Sequence, residues 1–461
     1  MSRIREIEAR VRKATTEVPN VRNVGPSRHI DNQLNSKEDT EKRQIVELIR
    51  KLPKLDKIFE VHKKIGEGTF SSVYLGSLRQ HCHLSDKEKK WFAIKHLVPT
   101  AHPARIEHEL RCLQDMGGKN NVIGVELCLR HMDTIVFIMP YIPHKKFSEY
   151  VGDMDAAELQ RYMRALLSAL QHVHSFGVIH RDVKPSNFLY DRENQRYLLI
   201  DFGLAQRICY EPEPEPNIGS RKRPRDEDGV ANDAKRAALD LSVGTPRPQP
   251  VEGFRPPEVL LCVARQGCGV DVWAAGVVLA SVLCRRYPLF RGADDAAALA
   301  ELADFLGTRS LRDAAQHLGR RLVTSTERRG LCLRRLVARL RGEQLPERYA
   351  RRAAPATRAS GAAGAAAAAA AAACHSCRSC RLRAEHCVCR DDDQKAEEWA
   401  EGVWVGGFPD SAFSLAAALL QPAPPRRPAA ARALRHAFLA QPLPPPPTPT
   451  LAPPPAQPEP A

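Results

Sequence analysis

The octapeptide His180-Arg181-Asp182-Val183-Lys184-Pro185-Ser186-Asn187 gathers a carboxylate, an ammonium group and a carboxamide in one short segment. Nineteen residues after Asp182, the apolar run Leu198-Leu199-Ile200 leads into Asp201-Phe202-Gly203 and a second carboxylate. Transfer of a γ-phosphoryl group calls for such a set. Its transition state is largely dissociative, so cations must be spread over the equatorial oxygens while the attacking hydroxyl is held in line. Asp182 is the candidate to accept the hydroxyl proton, and Lys184 to balance charge on the moving phosphoryl group. Asn187 and Asp201 are the candidate Mg²⁺ ligands. Any one of these tripeptides could sit by chance in a surface loop. Their order and spacing together carry the argument.

A nucleotide also needs a cradle. Ile65-Gly66-Glu67-Gly68-Thr69-Phe70-Ser71-Ser72-Val73 places glycines where backbone N–H groups can approach ATP phosphates closely. Ser71 stands where the pattern has its third glycine, so by itself the segment also reads as a glycine-containing hairpin turn. Lys95, 29 residues beyond Gly66, closes the strand Phe92-Ala93-Ile94-Lys95, whose lysine would grip the α- and β-phosphates. A lysine ending an apolar strand otherwise merely reaches solvent. Glu109, on the next helical stretch, is the carboxylate expected to orient Lys95. Met139 would line the back of the ATP pocket, with Pro140 and Tyr141 starting the connection to the helical part of the chain; the plainer reading of Met139 is strand-end core.

The elements that must position these residues change character along the chain. From 58 to 141 the pattern is strand-like and broken by turns, with a helical stretch near Pro103 to Met116. Beyond Tyr141 the apolar period becomes three to four residues, as in ELQRYMRALLSALQHVHSFG. An α+β, two-lobed chain is expected: an extension (1–57), a small strand-rich lobe (58–142), a larger helical lobe (143–440) and a Pro-rich tail (441–461). In the extension, one helix is expected from about Ser36 to Leu52, capped by Ser36 and Asp39, with Ile45, Val46, Leu48 and Ile49 as its apolar stripe and Pro53 as its stop. Two low-complexity inserts, at about 207–243 and 343–398, interrupt the helical lobe.

Composition narrows the class. Of 461 residues, 43% are hydrophobic, enough for a large core, and collagen, coiled coil and wholly disordered chains are excluded. No apolar run outside the alanine tract reaches the ~18 residues a membrane span needs, and the start has no apolar stretch of the secretory kind. Thirteen cysteines, an odd number and most of them scattered, point to a reducing compartment. The net charge of +15 is concentrated: between Leu306 and Arg390 there are 18 arginines and no lysine against five acids, an excess of +13. No aromatic-interleaved basic element accompanies it, which argues against direct nucleic-acid binding and for a surface that docks acidic partners or substrates.

The motif set resembles the eukaryotic protein kinase family over roughly Ile58 to Phe438. Lys184, two residues after Asp182, is similar to the serine/threonine subclass. Gly244-Thr245-Pro246 resembles the end of the activation segment, and Phe254-Arg255-Pro256-Pro257-Glu258 the A-P-E motif, with Pro256 replacing alanine. Asp271 resembles the helix residue that anchors the catalytic-loop backbone, and Arg427 the arginine that pairs with the A-P-E glutamate, here Glu258. Within the family, KIGEGTFSSVYLG, IKHLVPTAHPARIEHELRCL, MPYIPHKKF and HRDVKPSNFLY followed by LIDFGLAQ resemble the cell division cycle 7-related kinases. That resemblance implies a bilobal kinase fold, use of Mg²⁺ and ATP, and a nuclear Ser/Thr kinase with a dedicated activator subunit. It also implies phosphorylation of the minichromosome maintenance helicase at acidic or already phosphorylated sites.

Other features depart from the pattern or stand outside it. Arg247-Pro248-Gln249-Pro250-Val251-Glu252 separates Gly-Thr-Pro from Gly-Phe-Arg, which the family keeps adjacent, at the place where the substrate's P+1 residue docks. It is either a true insertion or a gene-boundary error, and a true insertion opens the alternative of a pseudokinase or scaffold. Cys374-x₂-Cys377-x₂-Cys380-x₆-Cys387-x-Cys389 has spacing suited to tetrahedral Zn²⁺, or else is an Arg/Cys-rich loop of reduced thiols. Arg221-Lys222-Arg223-Pro224-Arg225 with Lys235-Arg236 reads as a bipartite nuclear-import signal or as a solvated charged loop.

Overall fold

The computed structural model describes residues 35–68, 70–98, 103–208, 253–344, 387–390, 403–443 and 445. Thr69, the stretch 247–252, the import-type sequence, Gly244-Thr245-Pro246, Cys374, Cys377, Cys380 and the Pro-rich tail from residue 446 on lie outside the described residues.

The strand-like pattern of the first lobe builds a five-stranded antiparallel sheet: β1 (Phe59–Gly68), β2 (Ser71–Leu78), β3 (Trp91–Leu97), β4 (Leu127–His131) and β5 (Thr134–Pro140), in the order β1-β2-β3-β5-β4. Side chains alternate between the faces of a strand. Phe92 and Ile94 of β3 and Val136 and Ile138 of β5 therefore face one side, and Lys95, Phe137 and Met139 the other. Register places Lys95 opposite Phe137 and Ala93 opposite Met139. The expected nucleotide-facing residues thus share the face turned toward the second lobe.

The opposite face is covered by the N-terminal segment. Helices α1 (Asn35–Lys51) and α2 (Pro53–Ile58) bury Ile45, Leu48, Leu52 and Leu55 against Phe59, Tyr74, Phe92, Ile94 and Ile138. The expected stripe is corrected in two ways. Val46 is exposed and Ile49 only partly buried, because a 100° step per residue cannot turn both members of each adjacent pair inward. Pro53 ends α1 by opening α2 as its first residue, a position that wastes no N–H, so the apolar face continues past it.

The second lobe is built on two long helices. α4 (Ala156–Ser175) starts at Asp155, whose carboxylate accepts from Glu158 N at 2.7 Å; α3 (Pro103–Asp115) belongs to the first lobe. α5 (Gly269–Leu283) is apolar on every side and is the lobe's central element, buried along its length. A two-stranded pair of β6 (Val178–Ile179) with β9 (Gln206–Arg207) and, between them in sequence, the hairpin β7 (Phe188–Asp191) with β8 (Arg196–Leu199) carry the loops between the lobes. α6 (Asp295–Leu306), α7 (Thr308–His317), α8 (Leu333–Arg341) and α9 (Asp410–Leu419) complete the lobe.

The arginine-rich stretch is only partly the docking surface expected of it. Arg334 pairs with Asp410 at 2.5 Å, and buried Arg335 donates to the Cys389 carbonyl at 2.9 Å. Arg341 donates to the carbonyls of Val282 and Leu283 at 2.8 Å, capping the end of α5, and stacks over Phe408. Burial pulls the Arg341 guanidinium down to a pKa of about 10. These side chains spend their charge inside the fold. Cys387 and Cys389 are buried, in a short bridge to Leu331 and Cys332.

Candidate active site

Three segments meet between the lobes. From β3, the Lys95 ammonium lies 2.5 Å from Glu109 Oε1 on α3 and 2.8 Å from Asp201 Oδ1 on the loop after β8. Burial disfavours the Lys95 charge, but the two carboxylates outweigh it and its pKa is raised. Asp201 is the complement: burial would raise its pKa, yet Lys95 brings it down to about 2. The backbone N–H of Gly203 and Asp201 Oδ1 lie 3.3 Å apart, and Asp201 itself sits at φ +67. Phe202 is fully buried and meets the His180 ring edge-on at 4.9 Å, which fixes the loop in this position.

The second segment is the loop from His180 to Asn187. Its shape is imposed by Asp271, near the start of α5. Asp271 Oδ2 accepts from His180 N at 2.8 Å and Oδ1 from Arg181 N at 2.8 Å. Oδ2 also lies 2.8 Å from His174 Nε2. Burial pushes the Asp271 carboxyl up, but the hydrogen bond from His174 prevails and its pKa is lowered. Arg181 can hold φ +65 because its own N–H and that of His180 are both anchored on Asp271.

Within this loop, Asp182 Oδ2 is held by Lys184 Nζ at 3.0 Å and by Asn187 Nδ2 at 2.7 Å. Asn187 Nδ2 also donates to the Asp182 carbonyl, and its Oδ1 accepts no hydrogen bond among the described residues. Asp182 Oδ1 is buried with no hydrogen-bond partner among the described residues. Burial pushes the Asp182 carboxyl above its ordinary value, with Lys184 opposing. An orphaned buried carboxylate oxygen costs free energy unless another group meets it. With the open carbonyl of Asn187 and the anionic Asp201, the donor set is the hard-oxygen type suited to Mg²⁺.

The third segment is the β1–β2 hairpin. Gly66 pairs with Val73 and Gly68 with Ser71; Ile65 and Phe70 are exposed, Glu67 pairs with Lys64, and Ser71 and Ser72 continue β2. Met139 is buried and Ala93 half-buried on the same sheet face, while Pro140 and Tyr141 leave β5 toward the second lobe. Thus Lys95, Glu109, Asp182, Lys184, Asn187 and Asp201 converge. Of the cysteine set, the described Cys387 and Cys389 belong to the second lobe.

Residues 59–439 match the protein kinase domain. The chain is 32% identical to a non-specific serine/threonine protein kinase of Drosophila melanogaster, over 87% of this chain and 71% of that one. It is 29% identical to the human cell division cycle 7-related protein kinase, over 68% and 76%. It is also 33% identical to the cell cycle serine/threonine-protein kinase hsk1 of Schizosaccharomyces pombe, over 60% of each. The chain belongs to the protein kinase family, in its Cdc7-related serine/threonine branch.

As a member of that branch, the kinase carries the expected buried pair: Arg427 Nη1 lies 2.8 Å from Glu258 Oε1, and the guanidinium also reaches the carbonyls of Gly269 and Gln421. Pro256 in place of alanine is accommodated because it immediately precedes a helical turn that begins at Pro257. Gly253, where the described chain resumes, needs to be glycine. Its φ is +83, and a Cβ there would come within 2.7 Å of the Phe290 carbonyl.

One contributor escaped sequence reasoning. Arg105, four residues before Glu109 and so on the same face of α3, donates to the Gly203 carbonyl at 2.6 Å and stacks its guanidinium 4.4 Å over Phe70. It joins the helix, the loop after β8 and the glycine-rich hairpin. A basic residue at i−4 from the pairing glutamate was the only available signal.

Proposed function

We propose that this kinase transfers the γ-phosphoryl group of Mg·ATP to Ser or Thr in acidic protein segments, with Asp182, Lys184, Lys95, Glu109, Asn187 and Asp201 as its working residues. The observation that carries the reading is the paired state of Asp182. One carboxylate oxygen is held by Lys184 and Asn187, and the other is buried and unclaimed. In that state Oδ2 is fixed and Oδ1 is the acceptor for the substrate hydroxyl proton. Lys95, oriented by Glu109, grips the phosphate chain, and the hairpin from Ile65 to Val73 covers it, with Ala93, Met139, Pro140 and Tyr141 lining the base pocket. Asn187 and Asp201 would hold the metal, which supplies charge neutralisation on the phosphates.

The finer role we propose, by resemblance to the Cdc7-related kinases, is that of a nuclear kinase, working with an activator subunit, that phosphorylates the minichromosome maintenance helicase in DNA replication. Preference for acidic or phosphorylated neighbours is supported by a pocket beside Asp182 lined by Arg181, Arg255 and Gln266. Arg255 Nη1 is paired with Asp295, while its Nε is buried there without a partner among the described residues. A Zn²⁺ site drawn from Cys374, Cys377, Cys380, Cys387 and Cys389 completes the proposal on spacing alone; a stability loss on chelation supports it, and an unchanged melting curve removes it.

The test compares transfer to a Ser peptide flanked by acids with transfer to the same peptide flanked by lysines, with and without candidate activators. Preference for the acidic peptide is expected, lost in Arg255→Ala. Equal rates on both peptides would contradict the substrate assignment.

A further inference from the structure

We propose that Glu41, on the N-terminal helix α1, is a positioning residue for the glycine-rich hairpin and so couples the segment before the kinase domain to nucleotide binding. The inference rests on the reading of that hairpin as the ATP cradle. Helix α1 lies on the face of the sheet away from the cleft, held there by Ile45 and Leu48. Its more N-terminal turn reaches over the edge strand. The Glu41 carboxylate accepts the backbone N–H of Lys64, and Gln44 Oε1, one turn away at i+3, accepts from Lys64 Nζ at 3.1 Å.

The location matters more than the bond itself. The β1–β2 ladder pairs Lys64 with Tyr74, then shifts so that Gly66 faces Val73 and Ile65 is the extra residue. A bulge of this kind bends the strand and re-aims the residues beyond it. Those residues are Gly66-Glu67-Gly68. Glu41 therefore fixes the backbone on the entry side of the bulge, two residues before the first glycine. Lys64 is held a second time, through Glu67 at 2.8 Å from its ammonium, so the strand entering the cradle is tied both to α1 and to the hairpin tip.

A carboxylate accepting a backbone N–H makes a charge-assisted bond, and losing it frees the bulge to sample other directions. The nucleotide then meets a cradle that must be ordered on binding, which lowers affinity without altering the groups that perform transfer. Glu47, on the same helix, makes a suitable comparison: it pairs only with Arg50 and Lys51 at the exposed surface among the described residues.

The experiment measures binding of a fluorescent ATP analogue with Mg²⁺ to the full chain, alongside KM for ATP, kcat and thermal unfolding. Glu41→Ala is expected to weaken nucleotide binding and raise KM for ATP about five- to tenfold, with kcat held within about twofold. Glu41→Gln, which keeps a side-chain oxygen for Lys64 N–H, is expected to restore most of the loss, and Glu47→Ala to bind as the wild type does. Glu41→Ala with wild-type nucleotide affinity, whether or not its melting temperature falls, would overturn the proposal alone. An equal loss in Glu41→Gln would overturn it too. A wild-type chain that fails to bind the analogue would overturn the ATP-cradle reading and this proposal with it.

Discussion

Lys95 Nζ and Glu109 Oε1 stand 2.5 Å apart with both side chains buried, and Asp201 closes the group from the other side. A cation between two carboxylates is stable only as a set: removing it leaves two anions facing each other, the Glu109 carboxylate buried and that of Asp201 half-buried. Lys95→Ala is expected to lower kcat about 10²- to 10³-fold, the range found when one preorganised electrostatic group is lost, and Glu109→Gln to fall between that and wild type. Steady-state kinetics on both variants check the ordering; a Glu109→Gln rate equal to wild type would separate α3 from the nucleotide site.

The pair His174–Asp271 makes stability depend on pH. Burial pulls His174 down, but the hydrogen bond to Asp271 dominates and raises its pKa to about 9, from an ordinary 6.5. Because the folded value lies above the unfolded one, the stabilisation is complete below about pH 6.5 and drains away as pH rises through about 9. Its full size is on the order of 3 kcal/mol. The melting temperature should drop between pH 7 and 9.5 in the wild type and much less in His174→Gln. Parallel pH curves for the two proteins would contradict the assignment.

Burial raises the Asp182 carboxyl above its ordinary value, and a base must be deprotonated to work. The acid limb of kcat/KM should therefore lie above the ordinary Asp value, activity rising with pH through it. In Lys184→Ala, which removes the opposing cation, that limb should move further up. A limb that stays in place in this variant would show that Lys184 does not act on Asp182.

Arg427 and Glu258 are buried together, and Arg427 also lies over the Trp273 ring at 5.2 Å. Removing one partner leaves the other charge unpaired in the core, at a cost of about 3–5 kcal/mol. Denaturant unfolding of Arg427→Ala should show that loss. Arg427→Met with Glu258→Leu should recover part of it, since the penalty lies in the orphaned charge. A double variant worse than the sum of its parts would indicate that the bonds to the Gly269 and Gln421 carbonyls dominate.

What was legible in the sequence divides along physical lines. Asp182, Lys184, Asn187, Asp201, Lys95 and Glu109 could be picked out because phosphoryl transfer demands residue types at fixed separations, and their convergence follows once the strands alternate. Arg105 and Glu41 were not legible. They act on a main-chain carbonyl and a main-chain N–H in segments that only the fold brings close, and main-chain partners leave no mark in residue type. Pro53 shows the limit from another side: the same residue that stops one helix is suited to start the next, and only the packing of Leu52 and Leu55 decides between them. Arg341 and Arg335 make a similar point about charge, for composition placed them in the arginine-rich stretch without revealing that they cap α5 and bind Cys389.

The most direct test of the central claim is γ-phosphoryl transfer by the full chain to an acidic Ser peptide, with Mg²⁺ and an activator subunit, for the wild type, Asp182→Ala and Lys95→Ala. Activity that depends on the activator and falls by about 10²-fold or more in both variants is the expected result. Transfer that persists equally in both variants, or its absence from the wild type under every activator condition, would contradict it.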